Sequence, residues 1–333
     1  MTTEESMKAF ARALPAIAIA AVFTSAVAQA ADPAAKYPDR PIRLMMPNAP
    51  GSANDTMGRI LAAKLGDVLG QQIVVDNRAG AGGILGMEIG KNANPDGYTL
   101  VSPSSAATSI APHIYKKLPY DPVNDFAFLS VFAVMPNILV VNPGQPPKSV
   151  REFIDYAKSM GSKLNMASAG TGSQSHLSGT AFMIAAGVES VHVPYKGGGA
   201  SVGSVVAGEA HWTFTPAGAV MSLIRANRLR ALGHSLPKRS PLLGDLPALA
   251  ETLPGFNYSG WYGLTAPKNT PKPILDKLHA ALRKVAAMPE FRDLIAAQAS
   301  EVVVYTPEEF RKFVVEDMAL TGKVVRAAGL KAE

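Results

Sequence analysis

"IRLMMPNAPGSANDTMGRILAAKLGDVLG", residues 42–70, divides into three parts. "IRLMM" (42–46) is a short apolar run that reads as a strand. "TMGRILAAKLGDVLG" (56–70) places Ile60, Leu61, Lys64, Leu65 and Val68 at helical spacing. Between them, "PNAPGSAND" (47–55) holds Gly51, two prolines, small residues and Asp55, with no Lys, Arg, His or Cys. A helix N-terminus offers free N–H groups and a partial positive charge, so such a loop can hold an anion without a cationic side chain.

The same grammar recurs along the chain. "QQIVVDN" (71–77), "YTLVSP" (98–103), "NILVVN" (137–142), "KLNMAS" (163–168), "SVHVPY" (190–195), "HWTFTP" (211–216), "RLRALGH" (228–234) and "EVVVY" (301–305) read as strands, with helical stretches between several of them. "SVRE" (149–152) and "TPEE" (306–309) have the spacing of capping boxes, and the helix of 270–288 opens on Thr270 and Pro271. The alternation predicts an α/β protein with helices flanking its sheets. "PSSAATS" (103–109), "SAGTGSQSH" (168–176) and "PYKGGGASVG" (194–203) repeat the small, polar, glycine-bearing loop ahead of a helix. For one loop a tight turn is the commoner explanation. Four of one chemistry, at strand ends, point to a shared ligand site.

Composition narrows the classes. Residues 1–30 have the form of an export signal: Lys8 and Arg12, the apolar run "LPAIAIAAVFTSAVA" (14–28), and "AQA" (28–30) ahead of Ala31. A membrane anchor is the rival reading, but the run is shorter than the roughly 20 residues a span needs and is broken by Pro15, Thr24 and Ser25. Glu4 and Glu5 sit oddly in such a signal, and a start at Met7 gives a cleaner one. With no cysteine in 333 residues, disulfides, a thiolate metal site and a lipid-modified cysteine are all excluded. The net charge of +6 is a mild bias toward anionic ligands. No Lys/Arg cluster interleaves with aromatics, so no nucleic-acid partner is expected.

Catalytic motifs fail on spacing. "GTGSQSH" (170–176) brings Ser173 near His176, but Ser175 stands where a nucleophile elbow needs its second glycine. Capping is the commoner role for Ser173; a secreted serine hydrolase using Ser173 and His176 is the alternative. "GAGGILG" (80–86) is one residue too long for the dinucleotide fingerprint, and "GMEIGKN" (86–92) is not a P-loop. The six histidines show no metal-ligand spacing. No catalytic residue, metal site or cofactor is expected.

Residues 37–100, from "YPDRPIRLMMPNAPGSAND" to "NRAGAGGILG" and "PDGYTL", resemble the opening of the tripartite tricarboxylate transporter receptors, the Bug-type periplasmic solute-binding proteins. The resemblance continues through "LPYDPVNDF" (118–126), "VVNPGQPPKSVREFIDYAK" (140–158), "VPYKGGG" (193–199) and "WYGLTAPKNTPKPILDKLHAAL" (261–282). It implies a two-lobed periplasmic-binding-protein fold, type II-like, with the ligand cleft between lobes: residues 31–140 plus 261–333 in lobe 1, and 141–260 in lobe 2. Crossings are expected near Asn137–Pro143 and Ser259–Pro267. It implies a small organic carboxylate as ligand (di- or tricarboxylate, aromatic, or nicotinate-like), membrane permease subunits as partners, a monomer, and the periplasm after cleavage near Ala30/Ala31. A periplasmic ligand sensor is a further reading.

Carried over by residue, the ligand's carboxylate falls to Asn48, Ala49, Gly51, Ser52, Ala53, Asn54 and Asp55, largely through main-chain N–H groups and waters. Ser104 and Ser105 line the same wall. Ala169, Gly170, Thr171, Gly172 and Ser173 meet the rest of the ligand, with His176 and Tyr195 at the edge. Two departures stand out. The family pattern P-P-G-G-G-T-D is written "APGSAND" (49–55), so Ser52, Ala53 and Asn54 bring side chains where two glycines and a threonine are usual. Thr215 replaces an aspartate that many relatives carry, which disfavours an amino-acid ligand.

Overall fold

A computed structural model describes residues 34–330; the export signal expected over 1–30 lies outside the described residues. The opening strand is β1 (Ile42–Met46), and the helix after it is α1 (Ala53–Leu69). α1 starts ahead of Thr56 because Ser52 caps it, with extended backbone and a side-chain oxygen that accepts from the Asp55 N–H. Gly70, in the left-handed conformation, closes it. In chain order follow β2 (Ile73–Asn77), α2 (Ile84–Lys91), β3 (Thr99–Val101), a π-helical segment (Ala106–Ile110) with α3 (Ala111–Ile114), β4 (Phe126–Met135) and β5 (Asn137–Val141). Next come α4 (Val150–Met160), β6 (Asn165–Ser168), α5 (Gln174–Ala186), β7 (Val191–Pro194), α6 (Gly198–Ala207), β8 (Trp212–Pro216), α7 (Met221–Arg225) and β9 (Arg230–His234). The chain ends with β10 (Gly260–Pro267), α8 (Lys272–Ala287), α9 (Pro289–Ala297), β11 (Glu301–Val302) and α10 (Pro307–Ala327).

Two sheets result. The first has the order β11-β4-β10-β3-β1-β2, the second β7-β6-β8-β5-β9. β2, β1 and β3 run parallel, as do β7, β6 and β8, so each sheet has a parallel half whose strand ends feed helices. β4 and β10 pair antiparallel along nearly their whole lengths. "FAFLSVFAVM" (126–135) is an apolar run broken only by the buried Ser130, too continuous for periodicity to assign, and burial in the middle of the sheet explains it.

The stretches expected as crossing connections are themselves strands. Asn137–Val141 is β5, inside the second sheet, and Gly260–Pro267 is β10, inside the first. The chain changes sheets at Pro136, directly between β4 and β5, and returns just before Gly260. Asn137 ties the two passages together: its N–H donates to Ser235 Oγ (2.9 Å) and its Nδ2 to the Tyr258 carbonyl (2.7 Å). Ser235 Oγ in turn lies 2.6 Å from Ser259 Oγ.

Helix starts vary in how they match expectation. Thr306 and Glu309 form the reciprocal capping box of α10. At α4, Ser149 accepts from the Glu152 N–H, but Glu152 reaches back to the Lys148 N–H instead of its cap's own. Thr270 does not cap α8; its hydroxyl donates to the Pro267 carbonyl (2.8 Å), and the helix starts after Pro271. "EVVVY" yields only the two-residue β11.

Each sheet has its own core. Leu61 and Leu65 of α1, Leu278 and Leu282 of α8, and Phe291 of α9 cover Leu44, Leu129 and Phe132 of the first. Phe153, Phe182, Trp212 and Phe214 fill the second, with ring centroids 5.4–6.3 Å apart. α10 serves both: Phe310 and Val314 pack on Phe128 and Trp261, whereas Val324 and Val325 join the second core.

Candidate functional site

The loop after β1 uses three of its own amides, those of Gly51, Ser52 and Asp55. The Gly51 N–H donates to Asp55 Oδ2 (2.8 Å), Ser52 to the Ala49 carbonyl (3.2 Å), and Thr56 to the Ser52 carbonyl (2.9 Å). The N–H groups of Asn48 and Ala49, and of Ala53 and Asn54 at the first two positions of α1, lack an acceptor among the described residues. Asp55 points back onto the loop. It takes hydrogen bonds from Gly51, from Asn77 (2.9 Å) and from Arg59 (3.0 Å). Burial by itself would raise its pKa; the hydrogen bonds from Arg59, Gly51 and Asn77 and the Arg59 charge outweigh that and hold it below the usual carboxylate range. Asp55 therefore braces the loop.

Asn54 faces the neighbouring strand end. Its Nδ2 donates to Asn48 Oδ1 (2.8 Å) and to the Ser102 carbonyl (3.2 Å), while its Oδ1 is buried without a partner. The hydroxyls of Ser102 and Thr108, on either side of Ser104 and Ser105, are likewise buried and unpartnered. Buried polar atoms rarely stay unpaired, so three in one corner mark a place for water or ligand. Ser104 caps the turn through its Oγ, which accepts from the Ala107 N–H (3.4 Å), and its carbonyl accepts from Thr108 (2.9 Å). "NRAGAGGILG" (77–86) serves packing at its last residue: a Cβ on Gly86 would meet Pro47 Cα at 2.6 Å, so the glycine lets α2 sit under the loop.

The loop after β6 is tied down more heavily. Ala169 donates to Ser175 Oγ (2.9 Å), Gly170 to Ser168 Oγ (3.2 Å), Gly172 to His176 Nδ1 (3.0 Å) and Ser173 to the Gly170 carbonyl (3.1 Å). The N–H groups of Thr171, Gln174 and Ser175 remain without an acceptor among the described residues. His176 is 3% exposed, so it lies beneath the loop and not at a ligand's edge. It stacks on His192, centroids 3.7 Å apart and planes 7° from parallel, and His192 Nε2 is 2.6 Å from Ser168 Oγ. Burial first, then the neighbouring His192, pushes the His176 pKa down to about 4; burial lowers His192 as well. Two neutral rings therefore support the loop at neutral pH.

Ser173 Oγ caps α5, accepting from the His176 N–H (3.3 Å), and makes no bond to the His176 ring. With His176 Nδ1 already committed to Gly172, the pair lacks the nucleophile–base contact of a hydrolase. Tyr195 donates its N–H to the Ser168 carbonyl (2.9 Å), which seats "VPYKGGG" beside the loop. Thr215 is buried near the carboxyl end of β8; Met166 pairs with Trp212, so it stands one step beyond Ser168. Lys196 is exposed and makes no ion pair among the described residues.

Asn48–Asp55 and Ser104–Ser105 thus gather at the carboxyl ends of β1 and β3, and Ala169–Ser173, Tyr195 and Thr215 at those of β6, β7 and β8. No hydrogen bond among the described residues joins the two groups. Ser102, Thr108, His192 and Ser168 were not singled out as site residues from the sequence. Ser102 and Ser168 follow or end recognisable strands, a positional signal; nothing local marks Thr108 or pairs His192 with His176.

Comparison with known proteins gives a consistent result. Residues 57–330 match the family described as "Tripartite tricarboxylate transporter family receptor". The chain is 33% identical to Protein BugT of Bordetella pertussis over 318 residues, covering 95% of this chain and 98% of that one. Rpa4515 of R. palustris, solved with adipate, is 30% identical with a TM-score of 0.73, over 89% of this chain and 100% of that one. MatC of Rhodopseudomonas palustris, solved with bound malate, is 30% identical with a TM-score of 0.68, over 87% and 100%.

Proposed function

The chain belongs to the family of tripartite tricarboxylate transporter receptors, two-lobed periplasmic solute-binding proteins, and we propose that it captures a small organic dicarboxylate between its sheets and hands it to membrane permease subunits. The observation that carries this reading is the corner at α1. Two unpaired amides, Ala53 and Asn54, lie at a helix N-terminus beside three buried polar atoms without partners. A carboxylate accepts from both amides, complements the helix dipole, and brings waters that satisfy Asn54, Ser102 and Thr108. The loop after β6 offers Thr171, Gln174 and Ser175 amides to the far end of the ligand. Adipate and malate, held by two relatives, are both dicarboxylates, with one carboxylate available to each helix start.

Sheet membership supports a division into lobes at Pro136, earlier than residue 140, and near Ser259. The receptor acts without catalysis, as a monomer, after loss of the export signal near Ala31. A thermal-shift panel of mono-, di- and tricarboxylates tests the reading. A dicarboxylate should raise the melting temperature in a dose-dependent way, by mass action on the native state. A panel in which no carboxylate shifts the transition, or in which the active compound is turned over, would defeat it.

A further inference from the structure

Where the chain returns to the first sheet, a cavity of about 190 Å³ opens between the loop after β9, the start of β10, and α10. None of the cleft-loop residues lines it. Three aromatic rings line part of it: Trp261 and Tyr305 both meet Phe313 edge-on, with ring centroids 5.7 Å apart in each pair. Asp317 also lines the cavity; it lies deep in the fold yet keeps part of its surface open.

The Asp317 carboxylate is incompletely satisfied. One oxygen, Oδ2, accepts from Ser109 Oγ (2.5 Å) and from Trp261 Nε1 (3.0 Å). The other takes no hydrogen bond, and no cation pairs with Asp317, among the described residues. Arg239, on the same cavity, is held by Glu251 (2.9 Å), and Lys238 is exposed without an ion pair among the described residues. Glu301 accepts from Ser240. Burial raises the Asp317 pKa, against the lowering effect of Ser109 and Trp261, as expected of a carboxylate without a counter-charge.

We propose that this cavity binds a small organic ammonium ion, its charged nitrogen on the free oxygen of Asp317 and its carbon skeleton against Trp261, Tyr305 and Phe313. An ammonium supplies the missing charge and a charge-assisted hydrogen bond. Aromatic rings attract cations beyond their apolar contact, and a desolvated site strengthens the effect. The volume is about that of six waters in the liquid, enough for a short alkylammonium. The proposal is independent of the carboxylate site.

The full chain is titrated with n-butylammonium chloride, with 1-butanol as its neutral isostere, and with sodium chloride at matched ionic strength. The readouts are calorimetry and tryptophan fluorescence, Trp261 being one of two tryptophans. Saturable binding of butylammonium alone is expected, with a change in emission. Asp317→Asn keeps an acceptor for Ser109 and Trp261 but removes the charge, so it should bind at least tenfold more weakly. Should that variant not fold, Phe313→Leu decides, with a several-fold loss expected. An equal response to 1-butanol, no saturable response to butylammonium, or wild-type affinity in a folded Asp317→Asn or Phe313→Leu variant would overturn the proposal.

Discussion

Two imidazoles lying face to face beneath the loop after β6 make that loop sensitive to protons. Protonating His176 removes the acceptor of the Gly172 N–H and places a charge 3.7 Å from the His192 ring. The native pKa of about 4 lies below the unfolded value of 6.5. Between those values the unfolded chain binds more protons, so stability falls as pH drops through this window and is unaffected above it. The shift corresponds to a loss on the order of 3 kcal/mol by pH 4. His192, lowered by burial, adds in the same direction. Urea unfolding from pH 7.5 to 4 should show this decline. His176→Asn keeps an acceptor for Gly172 and removes the titration, so its decline should be shallower. An equally steep decline in the variant would assign the pH dependence to other groups.

At the scale of the element, the first turn of α1 separates capping from ligand binding. Ser52 is the cap, and Ser52→Ala should cost about 1 kcal/mol of stability. Its N–H is already spent on Ala49, so proline at 52 would disrupt the turn itself. Ala53 is the first helical residue, where proline is favoured, and the extended backbone of Ser52 suits a residue preceding proline. Ala53→Pro should therefore keep the melting temperature while deleting one free amide of the proposed carboxylate site. Hydrogen bonds to charged groups contribute roughly 1.5–3 kcal/mol, so binding should weaken by about tenfold or more. If Lys196→Ala abolishes binding and a folded Ala53→Pro binds normally, the charge is held by a side chain instead. α2 gives a second test. Gly86→Ala improves helix propensity but drives a methyl into Pro47 Cα, so it should destabilise by about 1–3 kcal/mol in chemical denaturation.

For the whole molecule, lobe motion is expected to turn about the short passage at Pro136 and the return before Gly260, which Asn137, Ser235 and Ser259 link. A ligand touching both helix-start loops gains more when they approach, as in hinge-bending receptors. Small-angle scattering should show a smaller radius of gyration at saturating carboxylate. An unchanged profile at proven saturation would mean that the site is already formed in the free protein.

The α/β class, the positions of most strands, the caps at Ser149 and Thr306, and the loops that feed helices were all legible in the sequence. They depend on local periodicity, backbone propensity and contacts a few residues apart. β4 was not legible, because a run buried on both faces has no alternation, and β10 was read as a connection because Pro267 bounds it. Nor could local pattern say that Asn77 of β2 donates to Asp55, that His176 stacks on His192, or that Asp317 meets Ser109 and Trp261. Those outcomes depend on which strands lie side by side and which helix covers them. The sequence by itself determined where backbone amides are left free; only the tertiary structure decided which of them neighbouring side chains had already taken.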